Sequence, residues 1–145
     1  MCGQGGVAGT VTGTAELAFN KLLIMNSTRG IDSTGAASVK RELHKGSIQI
    51  EVAKEVGNPF NLFEVRRTSG IDYGDILSGT QRALLGHCRA KTVGGASRKN
   101  AHPFYFEDVV GTHNGTLSDY SHNKLEGKSK MDTDSEAIFY EINKN

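Results

Sequence analysis

Eighteen glycines in a chain of 145 residues constrain this fold more than any other feature, because many of them are clustered. The clusters are Gly3-Gln4-Gly5-Gly6, Gly30 with Gly35, Gly94-Gly95, and Gly111 with Gly115. Glycine admits positive φ and lets backbones approach closely. The clusters sit between apolar segments, and no low-complexity tract or repeat is present. They therefore predict tight turns and chain crossings around a site rather than flexible linkers. The length fits one domain, which at this size hides about 68–70% of its unfolded surface.

The apolar spacing supplies the elements. Residues 2–10 are small and predict a short buried strand. Ala15, Ala18, Phe19, Leu22 and Leu23 follow helical spacing and predict a helix over Ala15–Asn26, with Thr14 as its cap. Ala36–Leu43 and Ser47–Lys54 read as two strands joined by His44-Lys45-Gly46. Residues 57–80 are the least legible, with a short helix around Phe60, Leu62, Phe63 and Val65. Ala83–Cys88 and Asp108–His113 read as strands. A last helix starts near Thr133, where Thr133 and Glu136 have capping-box spacing. Ala137, Ile138, Ile142 and Tyr140 would face the core. The order strand, helix, several strands, helix predicts an α+β fold with mainly antiparallel sheet. The chain ends inside or just after the last expected helix, which reads as a C-terminally truncated domain.

Charge and composition narrow the function. Seventeen basic and 16 acidic residues leave a formal charge of +1. That gives no electrostatic case for nucleic acid or an anionic membrane as partner. No window approaches the roughly 20 apolar residues of a spanning helix. The start, MCGQGGVAGT, lacks the pattern of a secretory signal. With only Cys2 and Cys88 present, reduced thiols and a cytoplasmic location are expected. Gly3-Gln4-Gly5-Gly6-Val7-Ala8 spells a dinucleotide pattern, but that pattern needs a strand before it, which residue 3 excludes. Cys2, His87, Cys88, His102 and His113 lack the paired short spacing of a structural zinc site. Neither a metal nor a cofactor is expected.

Four features carry chemistry, and each has a plain alternative. Loss of Met1 would give Cys2 a free thiol and a free α-amine, a nucleophile and a base on one residue, both titrating near neutral pH; otherwise Cys2 is an incidental cysteine. Asn114-Gly115 is either a hairpin turn or a side-chain amide and backbone N–H that hold a developing oxyanion. Arg89, with Thr92 three residues on, is either solvated or a fork for a carboxylate. Asp134 either complements a helix dipole or receives an ammonium group. Taken together, the four describe an α-amino acid held at both ends.

At this point the chain resembles the class II glutamine amidotransferase domain, an N-terminal-nucleophile hydrolase. The resemblance rests on six ordered segments: Met1-Cys2-Gly3; Arg29-Gly30-Ile31-Asp32-Ser33-Thr34-Gly35; Gly86-His87-Cys88-Arg89 with Thr92 and Gly94; Asn100-Ala101-His102-Pro103-Phe104; His113-Asn114-Gly115; and Thr133-Asp134-Ser135-Glu136. Their spelling is most similar to the glucosamine-phosphate synthase branch. The resemblance implies a four-layer α/β/β/α sandwich over residues 1–145 and L-glutamine as substrate. Cys2 would attack the side-chain amide, Asn114 and Gly115 would hold the oxyanion, and Arg89 and Thr92 would bind the α-carboxylate. Asp134 would bind the ammonium, while Arg29 and His102 would support the site. Ammonia would leave for an unknown acceptor or a separate synthase partner. Ala90 and Val93 stand where that branch carries a tryptophan and a histidine, which implies looser coupling to a synthase. Two other readings are a non-catalytic remnant that binds glutamine or a partner, and another N-terminal-nucleophile amidase.

Overall fold

The structure, a computed structural model, describes residues 1–41, 46–65, 70–92, 94–118, 125 and 132–144. It is mixed α/β with antiparallel sheets. One sheet has four strands, β1 (Gly3–Ala8), β2 (Ser33–Arg41), β3 (Ile48–Val56) and β4 (Gln81–Arg89), in the order β1-β4-β2-β3. A second sheet is the hairpin of β5 (Phe104–Phe106) and β6 (Val109–Gly111). The helices are α1 (Gly13–Asn26), α2 (Pro59–Glu64), α3 (Tyr73–Leu77) and α4 (Asp134–Lys144).

Strand alternation sends successive side chains to opposite faces, and the register aligns residues across the sheet. Gly3 pairs with Cys88 and Gly5 with Gly86 on one flank of β4. Thr34 pairs with Cys88 and Ala36 with Gly86 on the other. This face packs under the helices: Phe19 and Leu23 of α1, Leu62 of α2 and Ile76 of α3 join Ala36, Ala53, Leu84 and Cys88 in one buried core. The opposite face carries Gly35, His87 and Arg89, and residues 100–104 lie against it. A Cβ on Gly35 would fall 2.0 Å from the His102 carbonyl oxygen, so only glycine admits this crossing. Beyond it, Phe104 of the hairpin faces Phe139 of α4 with ring centroids 6.4 Å apart.

Most expected elements form, with corrections at their edges, and β1 is not the buried strand expected, since Gln4, Gly6 and Ala8 are exposed. Helix α1 starts two residues early, at Gly13. Thr14 therefore lies inside it, and Thr12 occupies the cap position without a side-chain cap bond. The buried stripe of α1 is narrower than expected: Phe19 and Leu23 are buried, while Leu22 and Ala18 are exposed. Two elements escaped the sequence pattern. Strand β5 is only three residues long, and α3 is a five-residue helix closed by a capping box between Asp72 and Asp75. In α4 the core positions are Ala137 and Phe139, with Ile142 exposed. Thr133 does cap α4, its Oγ1 accepting the Glu136 N–H at 3.1 Å. The expected turn at 44–46 falls mostly outside the described residues, as does Val93.

Candidate active site

The start of β1 lies beside the end of β4, which brings Cys2 to the turn that follows Arg89. The Cys2 thiol meets both main-chain groups of Ala90, with N–H to Sγ at 3.4 Å and Sγ to O at 3.5 Å. A thiol can donate to that carbonyl, and a thiolate can accept from that N–H. The Arg-Gly-Ile-Asp segment holds this turn from behind. A Cβ on Gly30 would lie 2.4 Å from the Ala90 nitrogen, so glycine is required for the approach. The Asp32 N–H donates to the Arg89 carbonyl, and its Oδ2 accepts the Lys91 N–H at 2.8 Å.

The main chain of Cys2 is held on two sides. Asn114 Oδ1 accepts the Cys2 N–H at 3.2 Å, and Asn114 Nδ2 donates to the Cys2 carbonyl at 3.1 Å. Arg29 Nε donates to the same carbonyl at 3.0 Å. Asn114-Gly115 is therefore not the hairpin turn that its spelling suggests. Strand β6 ends at Gly111, and the β5–β6 turn runs through Glu107, which has a positive φ of 40°. The 113–117 segment is gripped by the N-terminus of α4. Asp134 Oδ2 accepts the Leu117 N–H at 2.7 Å, and the His113 ring nitrogen Nδ1 lies 3.0 Å from Ser135 Oγ.

Around the thiol is a cavity of about 260 Å³, lined by Met1, Cys2, Ala90, Thr92, Asn114, Gly115 and Thr116. That is smaller than the roughly 300–1,000 Å³ of drug-sized pockets, a volume suited to one small metabolite. Larger open grooves lie elsewhere, as at Val52, Lys54, Arg98, Lys99 and Tyr105, but that groove holds no thiol. The cavity therefore brings together four expected residues, Cys2, Thr92, Asn114 and Gly115. Arg29 braces it from the Cys2 carbonyl.

Three expected residues do not line it. Arg89 is 4% exposed and donates from Nη1 to the Gly95 carbonyl at 3.0 Å. Asp134 is buried, and its Oδ1 accepts the Ser135 N–H at 2.8 Å. His102 lies on the inner face of the sheet, stacked on His87 with centroids 4.1 Å apart. Burial pushes the His102 imidazole down to about 2, with His87, Arg89, Lys54 and His113 adding to the effect. Burial likewise lowers His87 to about 4. Sequence reasoning missed Thr116, whose only signal was its position next to Asn114-Gly115. It also missed the pairing of His87 with His102, which no local pattern encodes.

Both cysteines are free thiols. Burial pushes Cys88 up to about 11, and its Sγ lies 3.3 Å from the Leu23 carbonyl, on the helix-covered face. Among the described residues, no cluster of three or more His, Cys, Asp or Glu could hold a metal ion. No described helix is long and apolar enough to cross a membrane.

This geometry meets an independent likeness. Residues 76–145 match the family described as Glutamine amidotransferases class-II. The chain belongs to that family. It is also 34% identical over 151 residues to the Glutamine--fructose-6-phosphate aminotransferase (isomerizing) of Fusobacterium nucleatum, a match that covers 95% of this chain and 21% of that protein. The chain thus spans about a fifth of the length of that relative. Cys2 and Arg29 precede the family match, so the likeness at the N-terminus rests on the relative alone.

Proposed function

We propose that this chain is a glutaminase domain that releases ammonia from the side-chain amide of L-glutamine, with Cys2 as its nucleophile. The observation that carries the reading is the two-sided hold of Asn114 on Cys2 at a half-open cavity. Removal of Met1 converts the Cys2 nitrogen from a peptide N–H into an α-amine at the place where Asn114 Oδ1 already accepts from it. That amine is the base: it takes the thiol proton as Sγ attacks the amide carbon. The tetrahedral oxyanion is held by the Gly115 N–H and by Asn114. An asparagine NH₂ carries two donors; one binds the Cys2 carbonyl, and the other is left for the oxyanion. One such donor is typically worth about 2.7–4 kcal/mol. The tetrahedral species collapses, the C–N bond breaks, and the amine proton leaves with ammonia. Water then attacks the thioester, with the α-amine again as base, and glutamate departs.

In this reading Thr92 faces the α-carboxylate from within the cavity. Arg89 and Asp134 reach the two ends of glutamine after turning from their present partners. In this reading the two antiparallel sheets and their helices are layers of the four-layer α/β/β/α sandwich expected of the family. The ammonia passes to an acceptor bound by a synthase module or a separate partner; fructose 6-phosphate is the acceptor in the relative's name. Ala90 meets the thiol through its backbone alone, which fits loose coupling to such a partner.

Intact mass paired with a glutamate-release assay tests the reading. Cys2→Ala should abolish glutamate formation and keep the circular dichroism of the parent. Activity retained in that variant would refute the mechanism. Retention of Met1 in an inactive parent would favour the alternative of a binding remnant, since the base is then an amide.

A further inference from the structure

Two members of the ordered motifs, His113 and Ser135, have no task in the proposed mechanism, yet the fold joins them. Ser135 is the second residue of α4 and is 4% exposed. Its Oγ lies 3.0 Å from His113 Nδ1. Asp134 Oδ1 stands farther from the same hydroxyl, at 3.4 Å, outside the roughly 2.5–3.0 Å of relaxed O–H···O bonds. The histidine is therefore the closer partner of the serine. The imidazole in turn lies against Gly115. A Cβ built on that glycine would fall 2.7 Å from His113 Nε2 and 3.2 Å from Cε1. One ring nitrogen is thus tied to a helix, and the other abuts the backbone step that offers the oxyanion donor. Gly115 has no side chain with which to fix its own N–H. Before it, Asn114 is anchored on Cys2; after it, Leu117 is held by Asp134. The second anchor is released when Asp134 turns toward a ligand. The Ser135 link runs through a hydroxyl rather than that carboxylate, so it persists.

We infer that His113 is a positioning residue for the Gly115 N–H, and that Ser135 acts through it by locking the imidazole in place. The inference rests on the glutaminase reading for what that N–H does, and adds the pair that keeps it aimed. Neither residue lines the cavity, so neither touches substrate or moves its protons. A backbone donor serves best when it already points to where charge develops, because no reorganisation is then needed during reaction. An imidazole released from Ser135 turns about its Cβ–Cγ bond, and the 114–115 peptide loses the wall it rests on. Misplacement of a catalytic group by about 1 Å costs on the order of a hundredfold in rate. The loss falls on the transition state, where the oxyanion exists, and not on the bound amide. It therefore appears in kcat and spares KM.

Steady-state glutamate release on four variants, with the Gly115 amide followed by NMR in each, tests the pair. Ser135→Ala should lower kcat about tenfold, part of what a lost oxyanion donor costs, and leave KM for L-glutamine within about twofold. Ser135→Thr, which keeps the hydroxyl, should restore kcat. His113→Ala should lower kcat further, by about a hundredfold. The double variant should be no slower than His113→Ala alone, because a residue that acts only through another adds nothing once that other is gone. A Ser135→Ala protein as fast as the parent, a rise in KM with kcat unchanged, or losses that multiply in the double variant would overturn the inference. A parent that releases no ammonia would sink the glutaminase reading instead, and the Gly115 resonance would then decide the positioning. A resonance that shifts in Ser135→Ala and returns in Ser135→Thr supports it; one that stays put in Ser135→Ala overturns it.

Discussion

Cys88 and Arg89 are neighbours in β4, yet they open onto two different interiors. Cys88 faces the helices, among Phe19, Leu23, Ala36, Leu84 and Ile76. Arg89 faces residues 95–104, beside His87 and His102, with Lys54 over the Phe104 ring at 4.6 Å. The first interior is chiefly apolar, and its burial stabilises the fold at about 25 cal/mol per Å². The second buries polar groups. His87 and His102 are 0% and 3% exposed, and the His113 backbone beside His87 favours its charged form too weakly to offset the burial; the His102 ring nitrogens meet no hydrogen-bonding group among the described residues. Unpaired buried polar atoms cost roughly 1–3 kcal/mol each. The sheet therefore has one face that holds the domain together and one that spends part of that stability. The turn at Ala90 that meets the Cys2 thiol begins at the end of this strand.

The largest expected effect that could break this contrast is acid sensitivity. Both imidazoles have folded pKa values depressed below the usual 6.5, so the folded state keeps them neutral while the unfolded chain protonates. Their contribution is fully present above pH 6.5 and is lost as pH falls from 6.5 toward about 4, where His87 begins to protonate in place. Each should cost about 1.4 kcal/mol per pH unit in that window. The groups facing the pair are Arg89 on β4, Lys54 on β3 and His113 after β6, and all three disfavour the charged form of His102. Urea midpoints at pH 7, 6 and 5 check this. Replacing His102 with Phe should roughly halve the slope. A slope that is equal in parent and variant would show that the polar face is not the acid-labile one.

On the helical face the expected effect is smaller and independent of pH. Leu84→Ala removes a side chain that is 2% exposed at the centre of the core. It should cost about 2–5 kcal/mol, as buried leucine truncations do. The loss should be the same at pH 7 and pH 5. A loss that grows on acidification would mean that the two faces are coupled.

The same contrast accounts for how much was legible. The helical face was readable because it rests on local periodicity. Phe19 and Leu23 lie four residues apart on α1, and Leu84 and Cys88 four apart on β4. The extra apolar positions on α1, Ala18 and Leu22, misled because spacing alone does not say how wide a stripe the sheet will cover. The short elements β5 and α3 carry too few residues for any period to declare itself. The site was legible in its letters through resemblance and not in its distances. The sequence brings Cys2 no nearer to Asn114 than 112 positions, and the hydrogen bonds of the Asn114 side chain to the Cys2 main chain close that gap. The fold also set Arg89 and Asp134 behind the cavity wall and put Thr116 in it, which no spacing foretold. His87 and His102 meet only because Gly35 lets residues 100–104 cross the sheet without a Cβ in the way.

The smallest effect sharpens the comparison at its closest point. Cys2 and Cys88 are both free thiols, but only Cys2 lines the cavity. Cys88 is fully buried, and desolvation outweighs its contact with Thr34 to hold its thiol at about 11, so it stays protonated and inert. Its role is that of a small apolar residue on the helical face. Cys88→Ala should therefore cost only about 1 kcal/mol, close to one small buried group, and leave glutamate release within about twofold of the parent, less than the tenfold that 1.4 kcal/mol would bring. Iodoacetamide should label the native parent once, at Cys2, and label Cys88 only after unfolding. A Cys88→Ala protein that folds but loses activity would place a functional group on the helical face, and the division between the two sides of β4 would fail.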